Sequence, residues 1–92
     1  MAEQLYVPLL TESGTVAFGT VYAKNTVDKV VVFTVPFVET PNIQVGKVSG
    51  TTYSSTEMSV INISKSGFTI RVYNGDSGDN INPTYNWTAS AT

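Results

Sequence analysis

An all-β architecture, an antiparallel β-sandwich of six to seven short strands, follows from three features of these 92 residues. On Phe68 to Tyr73, Phe68, Ile70 and Val72 alternate with Thr69, Arg71 and Tyr73, the period of two of a strand with one face buried and one wet. The stretch Met58 to Tyr73 (MSVINISKSGFTIRVY) reads as two such strands folded back at Ser64-Lys65-Ser66-Gly67. Its first arm carries β-branched Val60, Ile61 and Ile63, whose stiff χ1 suits a pleated strand, and Gly67 can take the positive φ that a short reversal often needs. No heptad, amphipathic helix or capping box interrupts the pattern.

Taken from the start, Leu5 to Leu9 is a strand candidate interrupted by Pro8, which cannot donate to a ladder. Residues 1–14 are therefore expected to form an edge strand or a segment crossing to another subunit, with Thr11 to Gly14 as a turn. Thr15 to Ala23 alternates as a strand, with Gly19 as a bulge or close-approach point, and Asn25 to Asp28 reads as a loop. Lys29 to Phe37 is the most apolar stretch and is expected to lie centrally, ending or bulging at Pro36. Asn42 to Ser49 is the next strand, and Gly50 to Thr56 is a polar loop exposing Tyr53. Beyond the hairpin, Asn74 to Pro83 (NGDSGDNINP) is a long polar loop, and Thr84 to Ala91 closes the chain with Tyr85 and Trp87 on one face.

Ninety-two residues make one small domain, expected to bury roughly 60 to 70% of its unfolded surface. The absence of cysteine excludes disulfides and thiolate metal sites. The absence of histidine removes the commonest general base and the commonest zinc ligand, so a Ser-His-Asp arrangement cannot be built within this chain. Paired carboxylates can hydrolyse glycosides, but neither Glu39 nor Glu57 carries a local pattern that raises it above a surface charge. The reading is accordingly non-enzymatic and without cofactor. Five basic residues against seven acidic ones, with Lys24, Lys29, Lys47, Lys65 and Arg71 scattered, argue against a nucleic-acid surface. The apolar runs are too short to insert in a membrane, and the N-terminus lacks the pattern of a signal peptide. Without that signal, the sequons Asn62-Ile63-Ser64 and Asn86-Trp87-Thr88 are not read as glycan acceptors.

In order along the chain stand Phe33 and Phe37 around a strand end, Thr40-Pro41-Asn42-Ile43 leading into a strand, Asn62 before Gly67-Phe68, and Trp87 two before Ala89. With these landmarks Val32 to Ala89, about two thirds of the chain, resembles the H-type lectin-like domains, including those of phage and prophage tail proteins. The resemblance implies a sandwich of six or seven strands assembled as a homotrimer, with sugar bound near subunit contacts. Animal and amoebal members recognise N-acetylgalactosamine-type sugars with a histidine and an arginine. This chain has no histidine, and its one arginine, Arg71, does not match that position, so the known sugar site does not carry over. The implied use is a receptor-binding or virion-decorating module of a tail fibre or baseplate. Its partners would be cell-surface glycans and other tail proteins, and its location the virion, or the bacterial cytoplasm before assembly.

Tyr53, Tyr73, Asn74, Asp76, Asp79 and Asn80 are the candidate carbohydrate-binding residues. An aromatic face offers apolar contact to sugar C–H groups while its hydroxyl reaches a polar partner, and the loop supplies amides and carboxylates. Tyr85 and Trp87 are aromatic too, but Trp87 is expected in the core or at a subunit contact. Asp76, Asp79 and Asn80 offer oxygens of the kind calcium takes, yet the spacing is not that of a twelve-residue calcium loop, and a solvated turn is the default. The alternatives are a purely structural virion or assembly protein that binds no sugar and a small glycan-processing enzyme.

Overall fold

A computed structural model describes residues 11–91. They form six strands: β1 (Thr11–Ala17), β2 (Thr26–Val32), β3 (Asn42–Ser49), β4 (Thr56–Ile61), β5 (Gly67–Asn74) and β6 (Thr84–Ser90). One sheet has the order β1-β6-β3 and the other β2-β5-β4, every pairing antiparallel, and the two face each other across the core as a β-sandwich. Among the described residues no helix is long and apolar enough to cross a membrane. The strand expected at Leu5 to Leu9 lies outside the described residues.

The core is built on the two strands that are paired on both sides. β5 turns Phe68, Ile70 and Val72 inward, and β6 turns Tyr85, Trp87 and Ala89 inward, as alternation requires. The Phe68 ring meets the Trp87 indole edge-on at 5.4 Å between centroids, and Phe33 sits 5.8 Å from Phe68 and 5.9 Å from Trp87. Phe37 completes this cluster at 4.9 Å from Phe33. At the other end Phe18 lies edge-on to Tyr85 at 5.7 Å, beside buried Val21 and Ile81. Gly14, opposite Trp87 in the ladder, leaves the space that the indole fills, since a Cβ there would come within 2.8 Å of it.

Four expectations are corrected. Thr11 to Gly14 is no turn but the first half of β1, in register with Ser90 to Trp87 of β6. That strand ends at Ala17 rather than Ala23, because Gly19 takes φ 66° and bends the chain; open space surrounds it, so it is not a close-approach point. The loop expected at Asn25 to Asp28 is already β2 from Thr26. The apolar stretch Lys29 to Phe37 is not a central strand either: β2 is an edge, and its valines divide between two environments. Val31 is buried while Val30 and Val32 are 72% and 73% exposed. Past Val32 the chain leaves the ladder and wraps the hairpin turn, Phe33 N–H donating to Ser66 and Phe37 N–H to Lys65 carbonyls.

β4 and β5 form the expected hairpin, with Met58 opposite Val72. Ser64 closes the turn, its N–H donating to the Gly67 carbonyl at 2.9 Å and its Oγ accepting from Ser66 N–H at 3.2 Å. The left-handed residue of this connection is Asn62, at φ 56°, and not Gly67; asparagine tolerates that conformation better than most side chains. Gly67 is required for a different reason. β2 passes so close that a Cβ would collide with the Val31 carbonyl oxygen. A Gly67→Val substitution therefore forces β2 and β5 apart, and urea unfolding should show a loss of about 3 kcal/mol.

Candidate functional site

The connections β1–β2, β3–β4 and β5–β6 meet at the end of the sandwich opposite the hairpin turn, and the backbone zips them together. Val21 and Ile81 exchange two bonds, of 2.7 and 3.0 Å, and Phe18 N–H donates to the Pro83 carbonyl at 3.0 Å. The β3–β4 loop joins through Asn82 N–H to the Thr51 carbonyl at 3.1 Å and Gly75 N–H to the Ser55 carbonyl at 3.2 Å. Gly50 permits this approach: its φ is 93°, and a Cβ would collide with the Asn82 carbonyl.

Asn74 is the polar centre of this end and is completely buried. Its Nδ2 donates to the carbonyls of Val21 at 3.0 Å and Asp79 at 2.8 Å, and its Oδ1 accepts from Asp76 N–H at 3.0 Å. The side chain thereby spends its hydrogen-bonding capacity inside the protein, satisfying loop groups that would otherwise be costly to bury. Asp76 folds the loop locally, Oδ2 accepting from Asp79 N–H at 2.7 Å and Gly78 N–H at 3.0 Å. Those two bonds, the Asp79 one first, hold its carboxyl below the ordinary value of 3.8, and the nearby Lys24 charge adds to them. Lys24 Nζ donates to the Gly75 carbonyl at 2.8 Å.

A shallow cleft of about 260 Å³ opens to solvent among these loops, lined by Thr20, Thr51, Tyr53, Asn80, Ile81 and Asn82. Two of its amides are anchored: Asn80 Oδ1 accepts from Ala23 N–H at 3.2 Å, and Asn82 Oδ1 accepts from Thr51 N–H at 2.7 Å. Tyr53 is 41% exposed, and its N–H is held by Thr56 Oγ1 at 3.0 Å.

The structure thus brings together two of the six residues singled out from sequence, Tyr53 and Asn80. Asn74, Asp76 and Asp79 come together separately, as the hydrogen-bonded frame that carries Asn80. Tyr73 belongs to neither group; it lies half-buried on β5, in register with Thr26 and Glu57. Thr20, Thr51 and Asn82 were missed, because each is an ordinary loop residue until the sheets bring its loop to the others. Among the described residues no three of Asp, Glu, His and Cys converge as metal ligands. Trp87 and Tyr85 are core residues, and burial pushes the Tyr85 phenol up. Arg71 lies on the outer face of β5, paired in bidentate fashion with Asp28 at 2.9 and 3.0 Å. No protein-family model matches the chain, and no curated protein sequence matches it.

Asn74→Asp keeps the shape but turns a carboxylate oxygen toward two carbonyls, and chemical denaturation should show a loss of roughly 2 to 4 kcal/mol. For Asp76 the folded carboxyl titrates below its unfolded value. Its stabilisation is complete above pH 3.8 and disappears as pH falls through the lower folded value. Thermal melts should find Asp76→Ala less stable than the native chain at neutral pH, with the gap narrowing on acidification below pH 3.8.

Proposed function

We propose that the protein is a non-enzymatic carbohydrate-recognition module, of the receptor-binding kind that phage and prophage tail proteins carry, and that it works as a homotrimer on the virion. The observation that carries this reading is the loop cleft in which exposed Tyr53 stands with the anchored amide of Asn80. An aromatic face beside fixed polar groups on a solvent-open surface suits a sugar ring, whose C–H and O–H groups lie on different faces. The cleft is small and shallow, so a single site would bind weakly, and three-fold repetition would supply avidity. The H-type lectin-like resemblance supports the same reading, with a sugar site different from that of the animal and amoebal members.

The second reading, a structural virion or assembly protein without sugar binding, is favoured by one specific observation. Val30, Val32 and Ile63 are exposed at the hairpin end, where β2 is an edge strand among the described residues. Exposed apolar strand edges are surfaces that neighbouring chains cover. The trimer is common to both readings; glycan binding separates them.

Light scattering of the full chain should give a mass of about 30 kDa, three times the 9.9 kDa protomer. A glycan array should show binding that Tyr53→Ala weakens by about tenfold or more without changing that mass. Absence of all glycan binding by a trimeric native chain would leave the structural reading.

A further inference from the structure

Resting on the carbohydrate reading of this cleft, we infer that its ligand is a neutral sugar, whose oxygens are read by two fixed amide donors, the Nδ2 groups of Asn80 and Asn82. The orientation of both amides follows from their partners. A main-chain N–H can only donate, so the side-chain atoms facing Ala23 N–H and Thr51 N–H must be the oxygens. Each Nδ2 is then turned away from those anchors, and among the described residues neither has a protein partner. Both residues line the cleft, and each keeps a donor to offer a ligand while its oxygen is already bonded.

These donors are held before any ligand arrives. Asn82 is joined to Thr51 twice, through its own N–H to the Thr51 carbonyl and through Oδ1 from the Thr51 N–H. Asn80 is flanked by Asp79, whose carbonyl is bound by Asn74, and by fully buried Ile81, which is bridged to Val21. Little side-chain freedom is left to lose on binding, which favours affinity for a ligand whose acceptors match. The hydroxyls of Thr20, Thr51 and Tyr53 rotate and can donate or accept, as a ring of sugar hydroxyls requires.

The charge pattern excludes acidic sugars. None of the six lining residues is charged. The nearest cation in this loop cluster, Lys24, has its ammonium on the Gly75 carbonyl, and the residue next to Asn80 is Asp79. A uronate or sialate carboxylate would lose its water in the cleft and find no cation among the lining residues to replace it. A neutral pyranose incurs neither cost.

The test uses Asn80→Asp and Asn82→Asp in the full chain. Each keeps the oxygen that accepts the anchoring backbone N–H and replaces the Nδ2 donor by an acceptor. An array of matched neutral and sialylated or uronate-bearing glycans identifies a binding glycan, and calorimetry measures it against each variant. The expected result is preference for neutral glycans, an affinity loss of about tenfold or more in both variants, and thermal melts close to native. Thr20→Arg is a further variant, at an exposed position with no hydrogen bond among the described residues, and its melt is expected to stay close to native. It should bring in binding of acidic glycans. Preference of the native chain for acidic glycans, or unchanged affinity in folded Asp variants, would overturn the inference and leave carbohydrate recognition standing. Failure of the native chain to bind any glycan would overturn both.

Discussion

The contact between Phe68 and Trp87 joins the inward faces of β5 and β6, the two strands paired on both sides, and the rest of the sandwich is hung on it. A sheet of three strands has one interior member, whose backbone is paired on both sides, and here these two members bring Phe68, Tyr85 and Trp87 to the core. Phe33 and Phe37 extend the same cluster from the segment after β2, where the chain has already left the ladder. Apolar burial thus adds to the two backbone bonds that tie this segment to the hairpin turn, and it does so with aromatic rings, which bury the most area per residue.

The opposite end adds polar groups to the packing of Phe18, Tyr85, Val21 and Ile81. There the loops approach each other backbone to backbone, and each buried carbonyl needs a donor. One asparagine side chain serves two loops at once, while Asp76 supplies acceptors to the N–H groups of its own turn. This division gives the domain two different ends: an apolar one sealed by rings, with exposed valines at its edge, and a polar one with a cleft. Association between chains suits the first, recognition of a hydroxyl-rich ligand the second.

The charges are spent on local geometry. Asp28 and Arg71 pair across neighbouring strands on the outer face, Glu12 accepts from the Thr34 N–H and hydroxyl, and Lys24 meets a carbonyl. The Arg71 bond keeps the Asp28 carboxyl below its ordinary range, as expected of an exposed bidentate pair. None of these groups enters the cleft, which leaves its chemistry to amides, hydroxyls and one aromatic ring.

Periodicity made several elements legible in advance. Asn42 to Ser49 is a strand over the range expected, β5 buries Phe68, Ile70 and Val72 as expected although Thr69 of the opposite face is buried too, and the reversal at Ser64 to Gly67 is where the turn residues lie. These are local matters: side-chain alternation and turn chemistry are written in neighbouring residues, as is the absence of histidine and cysteine that limits the available chemistry. Composition misled at Lys29 to Phe37, because a run of valines looks the same whether all its faces are buried or one lies open at a sheet edge. It could not separate Asn74, wholly internal, from Asn80, which lines the cleft. That distinction, and the meeting of Thr20, Thr51, Tyr53 and Asn82, arose only from the tertiary structure. Residues far apart in the chain became neighbours because β1 and β3 both pair with β6, and no local pattern encodes which loops such pairing brings together.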